Sequence, residues 1–197
     1  MIELPEPKSV GTVSVEEALQ SRRSVRSYSK AALTLPEASQ LLWAAQGMTR
    51  RDGGRTAPSA GALYPLEVYL VAGDVEDLPP GIYKYRPREH GLDRIAEGDK
   101  RAELAAAALD QDCLRKGAAA IVIAGVYERT ARKYGQRAVR YVHLETGHAV
   151  QNMHLQAASL NLGTVEVGAF DDERIKQVMT MKPQQQPLAI MPFGRIK

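Results

Sequence analysis

From Ala118 to Val126 the chain carries no charged or hydrogen-bonding side chain. The run is well short of the roughly 18 apolar residues that cross a bilayer. It reads instead as a β-strand covered on both faces, so the fold needs a sheet with helices or further chain packed above and below it. With 197 residues, 44% of them hydrophobic and 25% charged, the chain is long enough to bury such a core in one domain. Met1 to Thr12 holds Glu3, Glu6 and prolines where a signal peptide would need an apolar run. Residues 1–12 therefore read as an N-terminal extension and 13–197 as one domain, expected in the cytoplasm, with no membrane segment. A single cysteine, Cys113, leaves no internal disulfide framework and no cysteine-built zinc site.

The flanking sequence supplies the covering elements. Ser14 and Glu17 have the spacing of a capping box, which predicts a helix reaching about Arg22. Thr34 and Glu37 repeat the pattern, with Pro36 in the first turn and an apolar face through Leu41, Leu42, Ala44 and Ala45 up to Gly47. Residues 49–56, rich in arginine and glycine without periodicity, read as a surface loop and a candidate lid. Leu66 to Ala72 has the composition of a buried strand, and Gly81 to Arg86 with Gly91 to Ala96 alternate like a hairpin. Asp99 is expected to cap one alanine-rich helix running to about Leu114. A helical stretch is predicted from about Glu128 to Asn161, broken near Gly135, with its second piece central to the fold. Thr164 to Phe170 reads as a strand, Asp171 to Glu173 as the start of a short helix, and Leu188 to Phe193 as a last strand. This irregular alternation favours an α+β class over a doubly wound parallel sheet.

The stretch Arg22-Arg23-Ser24-Val25-Arg26-Ser27-Tyr28 sets guanidinium forks and hydroxyls directly behind the first helix, a combination suited to a phosphate. A solvated helix end has the same composition. Arg195 and Lys197 form a second positive pair after the last predicted strand, where the chain end can be held close to the first cluster. Pro58-Ser59-Ala60-Gly61-Ala62-Leu63-Tyr64-Pro65 brackets small residues with prolines and lets backbone approach a flat ligand. No glycine triplet has the dinucleotide-binding spacing and no phosphate loop is present, so any nucleotide would be held by side chains. No serine lies in a Gly-x-Ser-x-Gly elbow, which leaves a hydrolase without its nucleophile. Glu145-Thr146-Gly147-His148 has the Glu-x-x-His spacing of di-iron proteins but occurs once, and His143, His148 and His154 contain no i, i+4 pair. Core or satisfied histidines explain them better than a metal does.

Taken in order, six segments resemble the nitroreductase family of flavin oxidoreductases, and within it the SagB-type dehydrogenase branch. They are residues 22–28, 58–65, 81–85, 145–152 (Glu-Thr-Gly-His-Ala-Val-Gln-Asn), 162–170 (Leu-Gly-Thr-Val-Glu-Val-Gly-Ala-Phe) and 192–195 (Pro-Phe-Gly-Arg). The resemblance implies a mostly antiparallel central sheet flanked by helices, in an intertwined homodimer with shared active sites. It implies FMN as cofactor, with NADH or NADPH as electron donor and a small-molecule acceptor. Arg22, Arg195 and Lys197 would hold the FMN phosphate, with Arg23 and Ser24 on phosphate and ribityl chain and Arg26 near the pyrimidine edge, where a cation favours the reduced flavin. Pro58, Ser59, Ala60, Gly61, Ala62 and Leu63 of the partner subunit would pack on the ring. Glu166, Val167, Gly168 and Ala169 would approach its other face and bring a backbone N–H near N5. Azoline-oxidising relatives implicate a Lys-Tyr pair in proton removal, and Lys133 and Tyr134 occupy the corresponding place. A helix with Lys133 in solvent and Tyr134 on the core accounts for the same two residues.

Two other functions are compatible with parts of the sequence. An azoline oxidase acting on a modified peptide would use the same fold with electron flow reversed, normally beside a cyclising partner protein. The formal charge of +3 and the basic set Arg50, Arg51, Arg55, Arg129, Arg132, Lys133 and Arg137 would suit a nucleic-acid-binding module. With 6% aromatic residues and no stacking motif among those charges, no nucleic-acid partner is expected.

Overall fold

In the computed structural model, which describes residues 1–50 and 52–197, the apolar run becomes β5 (Ala119–Gly125), with every residue buried. It lies within a seven-stranded sheet. The order is β1 (Ile2–Glu3), β4 (Gly91–Glu97), β3 (Gly81–Arg86), β2 (Leu66–Ala72), β5, β7 (Gln186–Arg195) and β6 (Leu162–Thr164). Each neighbouring pair is antiparallel.

Alternation along the central strands builds two cores. Leu66, Val68, Leu70, Ile121 and Ile123 face the helices α2 (Leu35–Gln46) and α6 (Ala138–Ser159), meeting Leu41, Leu42, Val142, Ala149 and Met153. The intervening Tyr69, Val71, Ala120, Val122 and Ala124 face α3 (Arg101–Ala107), α4 (Asp112–Lys116) and α7 (Asp172–Val178) through Leu104, Leu114 and Ile175. Each large aliphatic residue buried this way contributes about 1.5–3 kcal/mol of transfer free energy, so neither cover is dispensable. The α+β class is as the sequence pattern predicts, and the helix-flanked antiparallel sheet is as the family resemblance implies.

Both capping boxes form. Ser14 opens α1 (Val15–Ser21), with its N–H donating to Glu17 at 2.9 Å and Glu17 N–H donating back at 3.1 Å. Thr34 opens α2 in the same way through Glu37. The predicted break at Gly135 is also present: α5 (Tyr127–Tyr134) ends there at φ 53°, one 3-10 turn follows, and α6 begins. Residues 1–12 include β1 and are pinned at Pro5, whose carbonyl accepts from the Ser39 hydroxyl at 2.6 Å. In the 49–56 loop the described residues close on themselves, with Thr49 N–H on the Gly54 carbonyl at 2.8 Å and Thr56 N–H on Gly47 at 3.0 Å. Arg51 lies outside the described residues. No described helix is long and apolar enough to cross a membrane.

Two expected elements come out differently. The alanine-rich stretch is two helices, not one. Lys100 takes the N-cap position without a side-chain cap bond, Asp99 before it accepts the Arg101 N–H at 3.0 Å and grips the Arg101 guanidinium, and α3 stops where Leu109 (φ 54°) and Asp110 (φ 58°) turn left-handed before α4 restarts. The strand expected from Thr164 to Phe170 pairs only as far as Thr164, then touches β7 again at the single bridge Val167–Ile190. Pro192 explains the gap. It falls opposite Val165 in that register, has no N–H, and gives its carbonyl to the Thr164 hydroxyl at 2.8 Å.

The segment after α1 lies across the end of this sheet. Val25 N–H donates to the Thr164 carbonyl at 2.8 Å and Ser29 N–H to the Arg195 carbonyl at 2.9 Å. Between them the buried Tyr28 ring rests on Gly163 and Gly194, and a Cβ at Gly194 would sit 2.6 Å from ring atom Cγ. We expect Gly194→Ala to lift Tyr28 and destabilise the protein by about 1–3 kcal/mol, read as a lower denaturant midpoint with unchanged slope.

Candidate functional site

The backbone contacts above bring the arginine-rich stretch and the C-terminal strand together. Their side chains then diverge. Arg22 ends α1, its N–H on the Ala18 carbonyl, and its guanidinium turns inward until Nε is buried without a hydrogen-bond partner. Buried nearby, His154 also has an unpartnered ring nitrogen, Nδ1. Burial first, and the Arg22 charge second, hold the His154 imidazole below its usual pKa, so this surrounding stays cationic through Arg22 alone. Arg23, Ser24 and Arg26 are exposed on the same stretch, with Arg26 close enough to Cys113 and Tyr28 to act on their titration.

Arg195 is committed elsewhere. Its two terminal nitrogens grip both oxygens of Glu37 at 2.6 and 2.9 Å, the carboxylate that also caps α2. The fork ties the C-terminal strand to α2, while Lys197 is exposed at the chain end. Of the residues expected to clamp an anion, Arg22 is therefore the one with a buried, unsatisfied donor.

Residues 58–63 form a ledge, exposed at Pro58, Gly61 and Ala62 and half-buried at Ser59, Ala60 and Leu63. Ala60 to Ala62 make one turn of 3-10 helix in which Gly61 (φ 62°) and Ala62 (φ 55°) are left-handed, and Tyr64 (φ 47°) follows. Two non-glycine residues in that region imply strain held by neighbours. The neighbour is Glu145, buried on α6, whose carboxylate accepts the Ala60 N–H at 2.9 Å and a hydrogen bond from Ser59. Burial pushes the Glu145 carboxyl above its ordinary pKa despite those bonds and the nearby His148. The Glu-x-x-His motif is thus a tether for the ledge, and no group of His, Cys, Asp and Glu among the described residues could hold a metal.

Lys133 and Tyr134 sit directly under this ledge. A methyl group placed on Gly61 would lie 2.9 Å from the Tyr134 hydroxyl and 3.0 Å from Lys133 Nζ. Lys133 also lies over the Tyr134 ring at 5.5 Å. The ammonium is exposed, yet it meets the ledge and not only solvent. Beyond the end of β6, Val167 exchanges both backbone bonds with Ile190, at 2.8 and 3.0 Å. Strand alternation then turns the amides of Glu166 and Gly168 away from the sheet. Gly168 is exposed with nothing within 4 Å of a Cβ built on it, and Ala169 gives its carbonyl to Gln111.

A cationic group, a flat ledge of small residues and outward-facing backbone amides are parts able to bind an anion joined to a planar ring. The nitroreductase family model matches residues 19–195, which spans all of these parts. The chain belongs to the nitroreductase family. Within that family it is 46% identical over 194 residues to MJ1384 of Methanocaldococcus jannaschii, a protein provisionally named a nitroreductase, covering 98% of this chain and 96% of that one. It is 28% identical to the microcin B17-processing protein McbC of Escherichia coli, over 72% of this chain and 54% of McbC. Among solved structures, a Ralstonia eutropha protein likewise provisionally named a nitroreductase superposes with TM-score 0.88 at 27% identity, covering 100% of this chain and 89% of that one. A chain of the E. coli microcin synthetase McbBCD complex with truncated pro-MccB17 bound gives TM-score 0.78 at 25% identity, covering 100% and 78%. As a nitroreductase-family member the protein is an oxidoreductase.

The sequence alone did not reveal the two carboxylates that organise this site. Glu37 was visible only as a helix cap, and its second oxygen's use by Arg195 spans 158 residues. Glu145 was visible as half of a metal-like pair. Its raised pKa has a testable sign: the folded state keeps the proton to higher pH than the unfolded state, so Glu145 lowers stability as pH rises above its ordinary 4.5. We expect Glu145→Gln, which keeps an acceptor for Ala60, to remove this loss, so that the difference in melting temperature between variant and parent grows from pH 4.5 towards neutrality.

Proposed function

We propose that the protein is an FMN-dependent oxidoreductase that takes reducing equivalents from NADH or NADPH and delivers them to an electrophilic small molecule such as a nitroaromatic or a quinone. The observation that carries this reading is the buried, unpartnered Nε of Arg22 in a chain of the nitroreductase family. A phosphate is the group whose oxygens would satisfy that donor, with Arg23 and Ser24 exposed beside it to bind the remaining oxygens. When bound, FMN supplies a two-electron carrier that accepts and gives hydride. Arg26, four positions further along an extended segment, supplies positive charge at the ring end and favours the reduced form. Pro58 to Leu63 offer backbone and small side chains to a ring face, held in place by Glu145, and Gly168 leaves its side of the site open. Arg195, occupied by Glu37, holds the C-terminal strand under the phosphate end.

Two copies of the chain share the work. The exposed apolar residues Val15 and Leu19 on α1, Val13 just before it and Leu144 on α6 are ones a second subunit would cover. The ledge of one copy would then face the arginine-rich stretch of the other.

A second reading is favoured by Lys133 and Tyr134. Their contact with Gly61, together with the likeness to McbC, supports a SagB-type azoline oxidase in which the pair moves a proton on a modified peptide. Because the chain spans 54% of McbC, the peptide-directed activity of that protein carries over only as this proposal.

The purified protein is expected to be yellow and to release FMN on denaturation. A colourless protein that takes up no added FMN sinks both readings. Anaerobic NADH or NADPH should bleach the bound flavin; failure with both leaves the oxidase reading. Arg22→Ala should weaken FMN retention by at least about tenfold, the value of a lost charge-assisted bond, while Arg26→Ala keeps FMN but lowers its reduction potential. Equal loss of cofactor in both variants would show that the two arginines do not divide phosphate and ring between them.

A further inference from the structure

Away from the Arg22 end, a cavity of about 540 Å³ opens between β2, the β3–β4 hairpin and the loop before the ledge. It meets a second cavity of about 270 Å³ at Arg55 and Arg88, and that one is lined by Ala62 and Tyr64 of the ledge region. Together they are the size of a ligand pocket rather than of a packing defect.

The charges in this cavity do not balance. Glu67, mostly buried on β2, receives both Lys84 at 2.7 Å and Arg129. Burial alone would raise its carboxyl, but the Lys84 hydrogen bond and the Arg129 charge outweigh that and hold it below the usual range. Arg129 also donates to the Tyr64 carbonyl at 3.0 Å, fixing the end of the ledge to the cavity wall. Arg86 is matched by Asp93 at 2.5 Å. Arg55 and Arg88 form no ion pair among the described residues, and the remaining lining acids are exposed: Glu89 in the larger cavity and, in the smaller one, Asp52, which faces Arg50 at 3.5 Å.

Arg55 is held in a way suited to receiving a ligand. Its guanidinium stacks on the Tyr64 ring at 4.3 Å and donates from one terminal nitrogen to Gln46 at 2.9 Å. Its Nε is buried with no partner. Burial pulls this guanidinium below its usual pKa, and the nearby Arg129 and Arg88 act in the same direction while Tyr64 and Glu67 oppose them. A cation kept partly desolvated beside other cations, with an unused donor, is stabilised by an anion.

We propose that this cavity binds the anionic group, phosphate or carboxylate, of a small-molecule substrate of the oxidoreductase, with Arg55 and Arg88 as its receptors. This rests on the oxidoreductase reading only for the identity of the ligand; the anion site itself rests on the cavity. The two sources of such an anion are the 2′-phosphate of a nicotinamide donor and a carboxylate on the acceptor.

The test is calorimetric titration of FMN-loaded protein, whose Arg22 end is filled, with inorganic pyrophosphate, followed by competition with 2′,5′-ADP and with 4-nitrobenzoate. Saturable pyrophosphate binding that weakens with salt is expected, and Arg55→Gln and Arg88→Gln should each reduce it about tenfold. Arg88 is exposed, so its replacement tests the site without disturbing packing. Displacement by 2′,5′-ADP assigns the site to the donor, and displacement by 4-nitrobenzoate to the acceptor. Absence of saturable binding overturns the proposal, as does binding that both substitutions leave intact and Arg22→Ala abolishes. Flavin content is measured on the same samples. A protein without flavin that binds pyrophosphate through Arg55 would sink the FMN reading and leave the anion site standing.

Discussion

Burial of β5 on both faces governs the rest of the molecule. An antiparallel strand usually leaves one face to water, but Ala119–Gly125 has no side chain that water could solvate favourably. Two helical layers must therefore exist, and the long α6 has to lie on one of them because its apolar positions, Val142, Ala149 and Met153, match Ile121 and Ile123. Once α6 is in place, its two ends determine the site. Glu145 in its first half reaches the ledge at Ala60, and His154 in its second half lies near Arg22. A single helix thus fixes, within one chain, where the ledge lies relative to the Arg22 guanidinium.

Three carboxylates then hold polar pieces onto this apolar frame. Glu37 joins the start of α2 to the last strand through Arg195, Glu145 joins α6 to the ledge, and Glu67 joins β2 to Lys84 and Arg129. All three are shielded from solvent, where a charged bond is stronger and an unpaired partner costs more than at the surface. Each bridges positions far apart in sequence, so each converts a local loop into a fixed part of the site. Within each group of arginines that the sequence presents together the members accordingly differ in kind: of the anion pair Arg195 is tied to Glu37 and Arg22 keeps an unsatisfied donor, and of the basic set Arg129 is tied to Glu67 and Arg55 keeps one.

What was legible in the sequence follows from the range of the interactions involved. Capping boxes at Ser14 and Thr34, the glycine break at Gly135 and the alternating hairpin depend on residues within a few positions of one another, and they are found where expected. The alanine-rich segment splits in two because composition does not encode the left-handed pair Leu109 and Asp110, which is set by packing α3 and α4 separately against the sheet. The strand at Thr164 is shorter than its composition suggests because its limit is imposed by Pro192 on the neighbouring strand. For the site, residue types were legible and pairings were not. Nothing local marks Glu37 as the partner of Arg195, or Arg55 as stacked on Tyr64.

The left-handed run through Gly61, Ala62 and Tyr64 links these threads. A backbone in that region at two non-glycine positions costs of order 1 kcal/mol or more apiece, and it persists only if tethered on both sides. Glu145 supplies one tether at Ala60, and Arg129 supplies the other at the Tyr64 carbonyl. The second tether is itself fixed by Glu67 and stands in the cationic cavity. Any ligand that draws on the charge of Arg129 or Arg55 there acts on the same few residues that shape the ledge over Lys133 and Tyr134. The cavity and the ledge are therefore mechanically one unit, and a substrate anchored in the first is positioned relative to the second by bonds the fold already holds.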